Sequence, residues 1–249
     1  MTTPRLHFGL PSLKGGLAGY AKAFDVLELR CDPALPSAKH LGRLRREAPE
    51  GFNFVLVAGR ALAELTGTVP PELVEATRRA AETIGARFLL LRTPASAGPS
   101  ARTRARLARL AQELAGAAAA LAWEPRGAWT DEEVVEVASE LELTLVRDLA
   151  EQEPPPSPVV YTRLLALGRN SRLGSGAIER VAERLEGVEE AFIVIEGEGG
   201  AGVAKRLRQA VGEAVPLDDV APHDDDDDEA FEDEDADEEG AEDDFDDDE

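Results

Sequence analysis

The sequence predicts an α/β fold, a TIM-like (β/α)₈ barrel followed by an acidic C-terminal tail. Eight short apolar runs recur along the chain, helix-period segments follow most of them, and basic residues stop well before the C-terminus. Strands that alternate with helices form parallel βαβ units, and eight units can close into a barrel whose chemistry lies at the carboxyl ends of its strands. The predicted strands are residues 5–10, 26–30, 52–58, 88–92, 119–124, 143–147, 159–164 and 192–196.

The predicted helices carry their own start and stop signals. Residues 130–133, Thr-Asp-Glu-Glu, have the capping-box form, in which Thr is followed three residues later by Glu. Prolines at 70 and 71 open another helix, and Gly85 closes it. Further helices are expected over residues 100–114, 175–185 and 201–211.

The sixth crossover departs from this rhythm. Residues 148–158 contain four prolines, which exclude an ordinary helix because proline lacks the backbone N–H and clashes with the preceding turn. We therefore expect a Pro-rich loop between the sixth and seventh strands.

Charge divides the 249-residue chain into two parts. None of its 27 basic residues follows Arg208, whereas 22 of its 50 acidic residues lie from Asp218 onward. Residues 1–217 are therefore nearly neutral, and the remainder is too charged and too poor in apolar residues to fold alone. We predict a barrel domain over residues 1–215 and a disordered acidic tail over residues 216–249.

Several classes of protein are disfavoured by composition. Cys31 is the only cysteine, which excludes an internal disulfide and a thiolate metal cluster. The N-terminus lacks the form of a signal peptide, and no apolar run approaches the length of a membrane span. We expect a cytoplasmic protein with no membrane partner.

Charged residues converge at the predicted rim of the barrel. Alternate side chains of a strand face opposite ways, so residues that share one parity point inward together. Near the carboxyl ends of the strands this inward set comprises Glu28, Arg30, Arg92, Glu124, Arg126, Tyr161, Arg163 and Glu196, with Asp148 just beyond the sixth strand and His7 on the first. Buried charges are costly unless paired, so the set is either an ion-paired cap or a ligand site.

The residue types suggest roles if the rim binds a ligand. Glu28, Glu124 and Asp148 are candidates for a general base, a general acid or cation ligands, and arginines such as Arg126 and Arg163 can hold a carboxylate or phosphate bidentately. No cofactor is predicted. A divalent metal is only weakly indicated, because His7 is the single imidazole assigned to the rim.

Four segments resemble the domain-of-unknown-function-72 family, the YecE-like barrels. Residues 123–129, Trp-Glu-Pro-Arg-Gly-Ala-Trp, are similar to the end of that family's fifth strand, and residues 24–29, 49–54 and 161–164 are similar to three further landmarks in the same order. The resemblance spans roughly residues 5 to 212 and implies a barrel fold but no particular reaction. It also implies that the mouth is lined by Glu28, Glu124, Arg126, Trp129, Tyr161 and Arg163.

Other family positions are changed in this chain. The opening Gly-Thr-Ser-Gly-Trp segment is reduced to residues 9–12, the histidine after Arg-Leu is replaced by Leu165, and the Asn-Asn after the last strand reads Glu196-Gly197. These changes remove polar groups from the mouth. They favour a binding role without turnover.

A glycine-rich stretch offers a second motif. Residues 197–202 satisfy GxGxxG, but a dinucleotide fold needs a further parallel strand, and none follows. A phosphate could instead bind beside the loops after the seventh and eighth strands, where residues 168–176 add two arginines. Glu196 and Glu198 would oppose such an anion.

Two functions remain open from sequence. The first is binding of a small polar or anionic ligand at the carboxyl rim, with or without carboxylate acid–base chemistry, so enzyme status is undecided. The alternative is a non-catalytic interaction module that recruits basic partners through the acidic tail. The tail could also screen the arginines of the helix at residues 100–114, and we do not expect direct binding of nucleic acid.

Overall fold

The computed structural model describes residues 3–13, 15–165 and 173–212, and within them eight parallel strands close into a barrel. The strands pair in sequence order, and β8 pairs with β1 to complete the circle. The strands are β1 (Arg5–Leu10), β2 (Val26–Arg30), β3 (Asn53–Val57), β4 (Phe88–Arg92), β5 (Ala120–Glu124), β6 (Thr144–Arg147), β7 (Val159–Leu165) and β8 (Glu190–Glu196). The predicted barrel is confirmed.

Helices on the connections surround the strands. They are α1 (Leu17–Tyr20), α2 (Ala38–Glu47), α3 (Arg60–Ala63), α4 (Pro71–Ile84), α5 (Ala101–Leu114), α6 (Asp131–Glu140), α7 (Ser175–Arg184) and α8 (Gly200–Ala210). The capping box forms at α6, where Thr130 and Glu133 bond to each other's backbone N–H. Gly85 ends α4 in the left-handed conformation at φ 64°.

Strand alternation divides the buried side chains between two layers. Side chains of one parity, such as Leu27 and Leu29, pack towards the helices, whereas Val26 of the same strand faces the barrel interior. The strands are apolar on both faces because both layers exclude water. The interior layer is formed by Val26, Val55, Val57, Phe88, Leu90, Ala122, Val146, Tyr161, Phe192 and Val194.

The sixth crossover is a loop, as its prolines predict. Residues 148–158, all of which the structure describes, contain no helix. Two arginines of α7 hold this loop, with Arg180 bonded to the carbonyl of Ala150 and Arg184 to the carbonyl of Leu149. Backbone acceptors that a helix would satisfy internally are met here by guanidinium groups.

The structure changes some predicted boundaries. β3 is shorter than residues 52–58, and β8 begins at Glu190, two residues earlier than predicted. Glu190 pairs in register with Arg5. It is absent from the predicted strand because that strand is predicted from its apolar residues and Glu190 is charged. The predicted tail, residues 216–249, and residues 168–172 of the proposed phosphate loop lie outside the described residues. Among the described helices, none combines the length and the apolar composition of a membrane span.

His7 faces the interior but lies at the amino end of the barrel, so its assignment to the rim is wrong. Its Nδ1 is 2.6 Å from Asp25 Oδ2, its Nε2 is 3.2 Å from Glu190 Oε1, and its ring stacks on Phe192. Burial opposes the charged ring, but the hydrogen bonds and charges of the two carboxylates prevail and raise the pKa of His7. This cluster ties β1 to its neighbours at the end opposite the mouth.

Candidate functional site

Arg163 forms the centre of the carboxyl end of the barrel. Its side chain is 2% exposed and meets glutamates from three other strands. Arg163 Nε lies 2.8 Å from Glu28 Oε1, Nη1 lies 3.0 Å from Glu124 Oε2, and Nη2 lies 3.0 Å from Glu196 Oε2. Strand pleating therefore gathers groups that are far apart in sequence around one guanidinium.

Glu28 is the fully buried carboxylate of this cluster. Its side chain is 0% exposed, and its carboxylate accepts both Nε and Nη2 of Arg163 and the hydroxyl of Tyr161, 2.5 Å away. Burial and the charge of Glu28 raise the pKa of Tyr161, so the phenol stays protonated and donates its hydrogen bond. Tyr161 and Glu28 hold Arg163 in place rather than facing a ligand.

Glu124 connects the buried centre to the open rim. Besides Arg163, it binds Arg92 through Nε at 2.6 Å and Arg126 through Nη2 at 3.1 Å. Arg92 and Glu124 are adjacent in the register of β4 and β5, which explains their contact. Burial favours the neutral acid, but the charges of Arg163, Arg92 and Arg126 outweigh it and lower the pKa of Glu124.

The lowered pKa of Glu124 predicts a loss of stability in acid. A carboxyl whose pKa is lower in the folded state stabilises the protein above its unfolded pKa, and this contribution disappears as pH falls through the folded pKa. We expect Glu124→Gln to be less stable than wild type at about pH 7, and the difference to shrink progressively as the pH falls below about 4.3, the ordinary pKa of a glutamate. Urea unfolding at several pH values measures the difference, and a gap that stays constant over this range would contradict the assignment.

An open cavity lies beside these residues at the mouth of the barrel. Its volume is about 320 Å³. The side chains of Arg30 and Arg126 are each 48% exposed, and the ion pair of Arg30 with Glu196 is loose, at 3.9 Å. We call this space the mouth cavity; its charged lining residues are Arg30, Asp32, Arg60, Glu64, Arg92 and Arg126.

The structure brings most of the sequence-predicted site residues together. Contacts around Arg163 and Glu124 join Glu28, Arg30, Arg92, Glu124, Arg126, Tyr161, Arg163 and Glu196. Only some of them reach the mouth cavity, because Glu28, Tyr161 and Arg163 are buried below it. The set therefore has two parts. Glu28, Tyr161 and Arg163 form a buried, ion-paired floor, which we call the buried base, and exposed arginines form a rim above it.

Asp148 and Trp129 do not join this set. Asp148 accepts the backbone N–H groups of Ala150 at 2.9 Å and Leu165 at 3.0 Å, and burial raises its pKa. The indole of Trp129 donates to the carbonyl of Ala97 at 2.7 Å and packs edge-on against Trp123. Both residues have structural contacts that fix loops beside the barrel mouth.

Three charged residues of the mouth cavity were not singled out from sequence. Asp32 follows β2, and Arg60 and Glu64 belong to the connection after β3. Asp32 accepts the backbone N–H of Arg60 through both carboxylate oxygens, at 3.1 and 3.0 Å. Their position after the carboxyl ends of strands was the available signal, since barrel sites are built from these loops.

Among the described residues, the side chains that could ligate a metal do not form a metal centre. No group of His, Cys, Asp or Glu among them has an arrangement that could hold a metal ion. Glu28, Glu124 and Glu196 do converge, but each directs an oxygen to Arg163. The guanidinium supplies the positive charge at their centre.

Solved structures with the same fold include two DUF72 family proteins. The protein from Enterococcus faecalis V583 has a TM-score of 0.68 and 16% identity, with 84% of this chain and 98% of that chain covered. The protein from Thermotoga maritima MSB8 also has a TM-score of 0.68, with 18% identity, and 84% and 100% covered. These identities are low enough that the likeness concerns the fold.

The barrel also resembles sugar isomerase-like proteins. A xylose isomerase domain protein from Planctomyces limnophilus has a TM-score of 0.59 and 11% identity, with 86% of this chain and all of that chain covered. No curated protein matches this chain significantly in sequence.

A family model settles the relationship that the strand landmarks suggest. The model described as protein of unknown function DUF72 matches residues 7–225. This range includes every strand of the barrel except the first two residues of β1. The chain belongs to the DUF72 family.

Proposed function

We propose that this protein binds a small anionic metabolite in the mouth cavity. The observation that supports it is the presence of Arg30, Arg60, Arg92 and Arg126 around one opening. Guanidinium groups bind carboxylates and phosphates through parallel, charge-assisted hydrogen bonds. The volume of about 320 Å³ lies within the range of small-molecule sites.

The carboxylates of the cavity wall suit a ligand that also carries hydroxyl groups. Asp32 and Glu64 provide acceptor oxygens beside the arginines. The xylose isomerase domain protein of the same fold is named for a sugar. A hydroxylated anion, such as a sugar acid or a sugar phosphate, satisfies both kinds of lining group.

The geometry favours binding over acid–base turnover. A general acid or base works best when its pKa lies near the operating pH. Glu28 is sealed by Arg163 and Tyr161, and the arginines around Glu124 lower its pKa. Asp148 lies outside the cavity wall.

The alternative function, recruitment of a basic partner by the acidic tail, remains a prediction from the sequence. Three of the four arginines of α5 already have partners: Arg104 pairs with Glu133 and Glu136, Arg109 pairs with Glu113, and Arg106 donates to the carbonyl of Leu65. We therefore do not propose the tail as their counter-charge.

Removing one open arginine tests the proposed site. Arg30→Gln is expected to fold like wild type, because Arg30 is half exposed and loosely paired. In a thermal-shift screen of phosphorylated and carboxylated metabolites, at least one anion should raise the melting temperature of wild type and raise that of Arg30→Gln much less. Arg79→Gln, on α4 and paired with Glu75, is the matched control. Identical shifts for Arg30→Gln and wild type with every anion would overturn the proposal.

A further inference from the structure

We propose that the ion cluster at the amino end of the barrel is a proton-dependent latch, which holds β1 against β8 while the ring of His7 is charged and releases it in alkali. The cluster joins His7 of β1 to Asp25, immediately before β2, and to Glu190 of β8. It lies at the seam where β1 meets both of its neighbours in the barrel. The latch is separate from the mouth cavity and does not depend on the proposed function.

Both nitrogens of the His7 ring face a carboxylate. Nδ1 lies 2.6 Å from Asp25 Oδ2, and Nε2 lies 3.2 Å from Glu190 Oε1. A neutral imidazole has one N–H and one lone pair, so it can donate to only one of these acceptors, and its lone pair would face the other carboxylate. The imidazolium ion donates to both. The geometry therefore fits the charged ring.

The two carboxylates differ in their other partners. Asp25 Oδ1 accepts the backbone N–H of Phe8 at 2.7 Å, so Asp25 contacts two consecutive residues of β1. Glu190 pairs with Arg5 at 3.4 Å and with Arg87 at 3.3 Å. Within the described part of the chain, the charged groups placed around the ring are thus two carboxylates and two guanidinium groups.

The distances indicate which contact is lost when the ring releases a proton. The shorter contact is the one to Asp25, so the remaining N–H stays on Nδ1 and the lone pair of Nε2 faces Glu190. Glu190 keeps its two arginine partners, whereas the contact between His7 and Glu190 becomes repulsive. The weakened contact is therefore the one that joins β1 to β8.

The pH range of the latch follows from the direction of the pKa shift. Burial favours the neutral ring, but the hydrogen bonds and charges of Asp25 and Glu190 outweigh it and raise the pKa of His7. A histidine whose pKa is higher in the folded state stabilises the protein fully below its unfolded pKa of about 6.5. This contribution disappears as the pH rises through the folded pKa, so the latch weakens in alkali.

Nitrogen NMR of the histidine rings in the full chain tests the protonation state. At about pH 7 we expect both ring nitrogens of His7 to carry a proton, and we expect the ring to titrate at a higher pH than in the same chain unfolded by urea. The spectrum of His7→Gln assigns the signals. A ring with a single proton at about pH 7, or a midpoint no higher than that of the unfolded chain, would overturn the latch.

A carboxylate variant shows whether Glu190 holds the proton on the ring. Glu190→Gln should move the titration midpoint of His7 to lower pH, because it removes one of the two negative charges. The matched control is Glu140→Gln, at an exposed carboxylate of α6, which should leave the midpoint in place. Equal midpoints in Glu190→Gln and wild type would overturn the assignment of Glu190 to the latch.

Urea unfolding at two pH values separates the latch from a role in packing alone. His7→Gln should have a larger unfolding equilibrium constant than wild type at about pH 5.5, and the ratio of the two constants should fall at least about threefold by about pH 9. Over the same interval, the amide protons of β1 in wild type should lose protection from hydrogen exchange relative to those of β4. A constant ratio, or unchanged relative protection of β1, would overturn the proposal. If His7→Gln does not fold, the NMR titrations of wild type and Glu190→Gln decide it.

Discussion

Replacing Arg163 with Met is expected to lower the free energy of unfolding by about 3–5 kcal/mol, because it leaves a buried carboxylate without its cation. Glu28 is 0% exposed and receives two hydrogen bonds from Arg163. Chemical denaturation measures this loss. The same substitution at Arg126, which is 48% exposed and pairs with Glu124, should cost no more than about 1 kcal/mol.

A double variant separates the charge effect from lost packing. In Glu28→Gln/Arg163→Met the buried negative charge is gone, and the amide oxygen can still accept the hydroxyl of Tyr161. We expect this protein to regain about 2 kcal/mol relative to Arg163→Met alone. Equal losses for Arg163→Met and Arg126→Met, or no recovery in the double variant, would show that the buried base is not held by its charges.

Replacing Gly9 with Ala is expected to destabilise the barrel by about 3 kcal/mol or more, through overpacking. A Cβ at Gly9 would lie 2.2 Å from the carbonyl oxygen of Val26 and 2.8 Å from its carbonyl carbon. These are backbone atoms of the paired strand, in register with Gly9, so β1 and β2 would have to separate. Rotation of a side chain cannot relieve this clash, because the atoms that the added Cβ meets belong to the backbone.

Gly202→Ala provides the matched control for Gly9→Ala. Gly202 lies within α8, where an added Cβ would meet nothing within 4 Å. This substitution should leave the protein as stable as wild type or stabilise it by up to about 1 kcal/mol, since alanine favours helix. Urea unfolding compares the two variants, and a Gly9→Ala protein as stable as Gly202→Ala would contradict the close approach of β1 to β2.

Strand periodicity predicts the barrel and the convergence at its mouth. Glu28, Glu124 and Arg163 share the inward parity of their strands, and parallel strands bring equivalent ends to one rim. Their contacts in the structure follow from this pleating. The Pro-rich sixth crossover follows equally from local chemistry.

The alternation of side chains does not predict how far along the barrel axis a residue lies. His7 and Glu28 have the same inward parity, yet they lie at opposite ends of the interior because the strands are staggered around it. Alternation states which face a residue occupies but gives neither its level nor its exposure. It therefore did not distinguish the sealed Glu28 from the open Arg30.

The sequence patterns also do not predict the conformation of the loops that follow the strands. Asp148 follows a strand in the same way as Asp32, but Asp148 binds backbone N–H groups of its own loop and β7, whereas Asp32 lines the mouth cavity. Short-range hydrogen bonds of an aspartate depend on the turn it enters. A carboxylate after a strand thus indicates a candidate, and the fold of the loop decides its role.

The buried base and the arginine rim have different roles at the mouth of the barrel. Tyr161, Glu28 and Arg163 form a charged support that excludes water, and Glu124 links this support to Arg92 and Arg126. Arginines held in this way lose less conformational freedom when an anion binds. Under the proposed anion binding, this arrangement accounts for the many charges in a barrel interior that apolar layers could fill.

The most direct test of the proposed site is calorimetric titration of wild type, Arg30→Gln and Arg79→Gln. The probe is glycerol 3-phosphate or glycerate, whichever binds wild type more tightly. Loss of one bidentate guanidinium contact predicts a dissociation constant at least about tenfold higher for Arg30→Gln, with Arg79→Gln equal to wild type. Equal dissociation constants for all three proteins would contradict anion binding at the mouth of the barrel.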